Sequence, residues 1–138
     1  MSNDVHAWNQ KIIEEFRANN GVVGGTFEGA TIVLLHTTGA KSGKERTNPL
    51  IALSESGRLF VFASAAGADT NPDWYHNLVA NPQVTVELGA ERFPATAKVL
   101  DRPERDEIYA KQAAKSATFA GYQTKTTRVI PVVELVRR

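Results

Sequence analysis

The chain contains no cysteine, which excludes disulfides, thiolate metal sites and a cysteine nucleophile but identifies no compartment. It also lacks an excess of either charge. Sixteen Lys and Arg face 15 Asp and Glu, a net charge of +1, so nothing global points to nucleic acid and any basic site must be local. No apolar run is long enough to span a bilayer, and the N-terminus carries no apolar signal core. The cytoplasm is the expected location, with contact at the inner face of the membrane as a less favoured alternative. The histidines His6, His36 and His76 show no metal-ligand spacing and read as structural or exposed. No Gly-x-Ser-x-Gly elbow occurs, and the carboxylates are scattered. A chain without an obvious nucleophile or acid–base pair fits an enzyme whose cofactor performs the chemistry.

What is present fits one domain over residues 1–138 with a single core. Asp4 to Asn20 reads as an amphipathic helix: Val5, Trp8, Ile12 and Phe16 recur at helical spacing, with Asp4 as N-cap. Gly21, Gly24 and Gly25 end it. The polar face is mixed in charge, so the helix is expected to pack on the domain or a partner chain rather than on lipid. Strands are expected over Thr31–His36, Thr47–Leu53, Arg58–Ser64, Gln83–Leu88, Arg92–Leu100 and Val129–Val136. Ser54–Gly57 and Gly89–Ala90 are the turns between neighbours. Phe93, Ala95, Ala97 and Val99 form one inward set, and Pro94 and Pro131 suggest edges, a bulge or a strand start. Asn71-Pro72, with Asn71 as cap and Pro72 at the first helical position, and Asn81-Pro82 as the stop bracket a helix carrying Trp74, Tyr75, Leu78 and Val79. Asp101 with Glu104 resembles a capping box for a helix to about Lys115. About six short, mostly antiparallel strands with few helices imply a small β-barrel wrapped by helices.

Two segments are candidate ligand sites. The loop Thr37–Leu50 places Lys41, Lys44 and Arg46 among glycines and hydroxyls between two strands. It is no triphosphate loop: three residues rather than four separate Gly39 from Gly43, and Glu45 rather than Ser or Thr follows Lys44. It is either a solvated turn that blunts a strand edge or a grip for an anion. The second segment, Ser64-Ala65-Ala66-Gly67-Ala68, gives up all bulk after a buried strand. Small residues let a ligand approach the backbone, whose N–H groups bind anions or ring carbonyls. The helix that follows presents Trp74, which serves either the core or a planar ligand. Together these features suit a planar, phosphorylated cofactor.

The run Leu34-Leu35-His36-Thr37-Thr38-Gly39-Ala40-Lys41-Ser42-Gly43-Lys44-Glu45-Arg46-Thr47-Asn48-Pro49-Leu50 resembles the signature of the deazaflavin-dependent nitroreductase family of actinobacteria. Ala63-Ser64 to Gly67, Asn71-Pro72-Asp73-Trp74-Tyr75-His76-Asn77-Leu78 and Ala80-Asn81-Pro82 resemble its second signature, and Tyr122 to Val132 a weaker third. The resemblance implies a mainly β fold with helices: a split β-barrel of about six antiparallel strands, of the flavin-reductase/pyridoxamine-phosphate-oxidase type. It also implies coenzyme F-420, an 8-hydroxy-5-deazaflavin with a phosphate and an oligoglutamate tail, as hydride donor to a small quinone, enone or nitro-type acceptor. Lys41, Ser42, Lys44 and Arg46 would hold the phosphate and tail, and Asn48, Pro49 and Leu50 would border the ring. Ala63, Ser64, Ala65, Ala66 and Gly67 would line its other side, with Trp74 and Asn77 near the entrance. Ser64 and Tyr122 would be catalytic, Ser64 orienting and Tyr122 or water giving the proton. The pattern departs at His36 and Glu45, where Thr and a neutral residue are expected, and at Phe119, where a tyrosine is common. Alternatives are an FMN-dependent oxidoreductase of a related barrel, a non-catalytic deazaflavin carrier, or a structural barrel with a solvated loop. The expected oligomeric state is monomer or homodimer.

Overall fold

The computed structural model describes residues 2–24 and 30–138, and within the first helix the side chains from residue 7 onward. Gly25 and the side chains of Asp4, Val5 and His6 lie outside the described residues. In chain order the elements are α1 (Ser2–Ala18), β1 (Thr31–Thr38), β2 (Glu45–Glu55), β3 (Arg58–Phe62), α2 (Asp73–Ala80), β4 (Gln83–Leu88), β5 (Glu91–Val99), α3 (Glu104–Lys115), α4 (Ala117–Lys125) and β6 (Val132–Arg137). The strands close in the order β1-β2-β3-β6-β5-β4, every neighbour antiparallel. Closure leaves few free edges, which is how a small all-antiparallel sheet avoids edge-to-edge association.

The barrel is split because β2 is longer than its partner. β1 pairs with β2 from Thr31↔Ala52 to Thr38↔Glu45, but β3 meets β2 only over Ala52–Glu55. The first half of β2 therefore carries one unpaired edge. Pro49 faces that edge: Gly39 N–H bonds to the Lys44 carbonyl, and the alternation from there turns position 49 away from β1. Pro94 is tolerated for the same reason, its ring directed to the end of β6, where its carbonyl receives only the Arg138 N–H. The β2–β3 turn has positive φ at both Ser56 (52°) and Gly57 (79°), the type I′ geometry that suits a two-residue hairpin.

Three apolar clusters follow from strand periodicity. Val33, Leu35, Val61, Val86, Ala95 and Leu135 fill the barrel, and Trp74 and Leu78 of α2 pack into the same cluster. Phe60 and Phe62, on the opposite face of β3, pack with Ile108 and Tyr109 of α3 and Phe119 of α4. Ile32 and Leu34, on the opposite face of β1, are covered by Ile13 and Phe16 of α1. The uninterrupted apolar runs of β1 and β3 thus reflect helices on their outer faces.

Several expectations need correction. The buried stripe of α1 contains Ile13 and Phe16, whereas Trp8 is 48% exposed. The helix begins before Asp4, which is therefore not its cap. Val99 is 38% exposed, because β5 ends there and Leu100 turns inward with its N–H on the Val132 carbonyl. Asn71 does not cap α2: Pro72 occupies the cap in extended conformation, and the Asn71 side chain is used elsewhere. Asp101 supports α3 through its carbonyl, which accepts the Arg105 N–H, rather than through a capping box.

Candidate active site

The β1–β2 turn is built from its own backbone. Gly39 N–H donates to the Lys44 carbonyl at 2.8 Å, Gly43 N–H to the Gly39 carbonyl at 3.0 Å, and Lys44 N–H to Ser42 Oγ at 3.2 Å. Asn77 of α2 fastens the turn to the barrel end. Its Oδ1 accepts the Ala40 N–H at 3.0 Å, and its Nδ2 donates to the buried Thr37 hydroxyl at 3.3 Å. The turn, the start of β2, α2 and α1 enclose an open groove of about 1200 Å³.

Of the expected residues, Lys41, Ser42, Arg46, Asn48, Trp74 and Asn77 line this groove. Lys44 lies on the same turn but outside the lining, and Pro49 and Leu50 continue β2 beyond it. Trp74 serves the core, being 6% exposed, while contributing to the groove wall. Two lining residues, Asn9 and Gln10 of α1, carried no signal in the sequence beyond sitting near the apolar stripe. Lys41, Lys44 and Arg46 have no carboxylate partner among the described residues, whereas Arg17, Arg58, Arg102, Lys111 and Arg137 are all ion-paired.

Glu45 lines the groove, and its carboxylate has a hydrogen-bond partner in His36. Its Oε1 meets His36 Nδ1 at 2.7 Å, and Thr47 Oγ1 lies 3.0 Å from the same nitrogen. His36 is 5% exposed, and its Nε2 meets Glu87 Oε2 at 2.6 Å. Glu87 in turn receives Arg17 Nε at 3.3 Å and Nη2 at 2.9 Å. These contacts, Arg17 first, hold the Glu87 carboxyl below the usual carboxylate range. The histidine is buried between two carboxylates, and the chain Glu45–His36–Glu87–Arg17 runs from groove to α1.

The Ser64–Ala68 segment forms a second cluster. Ala65, Ala66 and Gly67 all have positive φ (44°, 55° and 83°) in a 3₁₀ turn, two of them without the freedom of glycine. Such strain persists only when the surroundings impose it. Arg128 does so: its guanidinium donates to the carbonyls of Ala63 (3.2 Å), Ser64 (2.9 Å) and Ala68 (2.8 Å) and to Asn71 Oδ1 (2.7 Å). Burial pulls the Arg128 pKa down, with Asp69 opposing it. The N–H groups of Ala65 and Ala66 have no acceptor among the described residues. Ser64 in the right-handed region followed by Ala65 in the left-handed one is the arrangement of a backbone anion nest. Gly67 abuts α4, where an added Cβ would sit 3.0 Å from the Tyr122 carbonyl. Tyr122 is half-buried against Phe119, with ring centroids 5.3 Å apart. Ser64 and Tyr122 therefore belong to this turn–α4 cluster rather than to the groove lining. Arg128 lay within the weak third motif, but nothing in its local sequence marked it as the clamp.

A six-stranded antiparallel split barrel, with a groove lined by Lys41 and Arg46 beside Glu45 and Asp73 and with a backbone nest after β3, has the architecture of the cofactor-binding split barrels. The chain belongs to the F420H(2)-dependent quinone reductase family, whose model matches residues 8–136. It is 39% identical over 127 residues to an F420H(2)-dependent quinone reductase of Mycobacterium tuberculosis, covering 89% of this chain and 85% of that one. Among solved structures it resembles an F420-H2 dependent reductase, FDR-A, at 42% identity and a TM-score of 0.69, over 76% of this chain and 93% of that one. It also resembles a chain described as a domain-swapped dimer, at 37% identity and a TM-score of 0.71, over 94% and 98%. A Listeria innocua chain assigned as a pyridoxamine 5′-phosphate oxidase, 11% identical with a TM-score of 0.55 over 95% and 94%, shares the fold alone. The cofactor is coenzyme F-420 and the chain is an oxidoreductase, as the family implies. The residues present fit that group: unpaired cations for a polyanionic tail, free N–H groups for a polar ring edge, and a groove of sufficient volume. Among the described residues no cluster could hold a metal ion, and no helix is long and apolar enough to cross a membrane.

Proposed function

We propose that the groove holds the phosphate and acidic tail of coenzyme F-420, and that the protein uses the reduced cofactor to reduce a quinone. The observation that carries this reading is the pair Lys41 and Arg46, facing one groove with no carboxylate partner among the described residues. Unpaired cations converging on a cleft bind anions more strongly than the same charges on an open surface. When bound, the reduced deazaflavin supplies a hydride from its ring C5. The protein's part is positioning and electrostatics. Lys41, Ser42 and Arg46 take the tail, and Lys44 adds charge from the same turn, outside the groove lining. Asn48, Pro49 and Leu50 border the ring on one side and Ser64 to Ala66 on the other, whereas Ala63, expected beside the ring, is 0% exposed in the core, and Gly67 is buried. The Ala65 and Ala66 N–H groups donate to the polar edge of the ring. Ser64 orients the acceptor, and Tyr122 or water gives the proton that completes its reduction. A homodimer is the proposed assembly, supported by the 37% identical chain described as a domain-swapped dimer.

The test is a fluorescence titration with oxidised F-420, followed by oxidation of reduced F-420 with a simple quinone as acceptor. Quinone-dependent oxidation is expected, with F-420 bound more tightly than FMN. Equal binding of the two, or a yellow protein as purified, would favour an FMN enzyme instead. Lys41→Ala with Arg46→Ala should weaken F-420 binding on the order of 30-fold at low salt, the size of two exposed charge-assisted contacts. That ratio should shrink as salt rises.

A further inference from the structure

We propose that helix α1 is a wall of the cofactor site. In this proposal Asn9 and Gln10 hold the acidic tail by neutral amide hydrogen bonds, and Glu87 is the positioning residue that keeps α1 in register with the groove. The inference rests on the reading that the tail lies in this groove.

The starting point is the buried stripe of α1. Asn9, Ile13 and Phe16 follow one another at helical spacing and so share a face. Ile13 and Phe16 are 4% and 1% exposed, packed on Ile32 and Leu34 of β1. One turn earlier the same face changes from apolar to amide, where the helix passes off the sheet and over the groove. Asn9 is half-buried there, and both Asn9 and Gln10 line the groove. An amide side chain offers both donor and acceptor. A glutamate oligomer carries amides as well as carboxylates, so it presents groups that amides match and that lysines alone cannot distinguish from any other anion.

The helix is fixed at its other end by charge. Arg17 is bidentate to Glu87 of β4, and the same carboxylate takes His36, which holds Glu45 at the groove rim. Glu87 is thus tied to α1 on one side and to the groove on the other. Loss of the Arg17 contact should let the N-terminal half of α1 move relative to the groove while Phe16 remains packed.

The test compares dissociation constants for F-420 and for the same deazaflavin lacking phosphate and tail. Asn9→Ala with Gln10→Ala should weaken F-420 about tenfold, the size of two neutral hydrogen bonds, and leave the tail-less compound unchanged. The factor should be the same at low and high salt, unlike the loss from Lys41 and Arg46. Arg17→Gln, at an exposed side chain, and Glu87→Gln should each reproduce part of the loss for F-420 alone, and Arg17→Lys should restore most of it. Equal weakening of both compounds, or no change in either, overturns the proposal. Failure of the unaltered protein to bind either compound would overturn the assignment of the groove as well. Binding of both compounds with unchanged variants overturns the role of α1 only.

Discussion

At the scale of single residues, the site depends less on the groups that face a ligand than on those that hold them. Arg128 is the main case. Its guanidinium serves four oxygen acceptors between Ala63 and Asn71, and the left-handed turn they define is what frees the Ala65 and Ala66 N–H groups. A lysine offers one ammonium where a planar fork is needed. Arg128→Lys should therefore destabilise the fold by about 1–3 kcal/mol, the range for buried acceptors left unmet, and weaken F-420 binding. Chemical denaturation and the F-420 titration check the two effects, and an unchanged affinity would separate the turn from the cofactor site. His36 is a second case. Its departure from the family pattern is paired with the departure at Glu45, since the imidazole Nδ1 lies 2.7 Å from that carboxylate and holds its orientation.

At the scale of elements, the 3₁₀ turn and α4 are fitted to each other at Gly67. Its φ of 83° and the 3.0 Å approach of the Tyr122 carbonyl leave no room for a side chain. Gly67→Ala should cost about 1–3 kcal/mol and displace α4 from the turn. Ala66→Gly should act oppositely, gaining up to about 1 kcal/mol because glycine adopts φ of 55° without penalty, less the extra entropy of the unfolded chain. Urea midpoints of the two variants check the signs, and a loss of stability in Ala66→Gly would show that the turn is not strained. Elements were well read from sequence wherever the signal was local. The β2–β3 and β4–β5 hairpins, the α2 boundaries and the basic turn lie close to expectation because alternation and turn residues act over a few positions. The errors fell where a neighbour intervened. Trp8 lost its place in the stripe to Ile13, and Asn71 was drawn from capping to Arg128.

For the whole molecule, the ion pairs that join distant elements set its acid stability. Arg17 holds Glu87, and Arg58 holds Glu134, each carboxyl below its ordinary value near 4.5. A carboxyl depressed by folding adds stability that is present above its unfolded pKa and lost as pH falls through the folded one. Stability should therefore be level near neutrality and decline below about pH 4.5, with Glu134→Gln flattening the decline. Thermal midpoints measured from neutral pH to pH 3 check this. The exposed pairs Arg102–Asp106 and Lys111–Glu55 should contribute little to it, because solvent screens them.

The sequence by itself determined the strands, the hairpins, the basic turn and, through its motifs, the cofactor class. Those properties reside in side-chain period, turn chemistry and runs of contiguous residues. The tertiary structure alone decided which cations stay unpaired, which arginine clamps the nest and that α1 borders the groove. Arg128 reaches Ala63 across 65 positions and Arg17 reaches Glu87 across 70, separations at which no local pattern carries information. Only barrel closure brings those side chains within hydrogen-bond range, and so only the closed barrel distinguishes a charge that supports the fold from one left for the ligand.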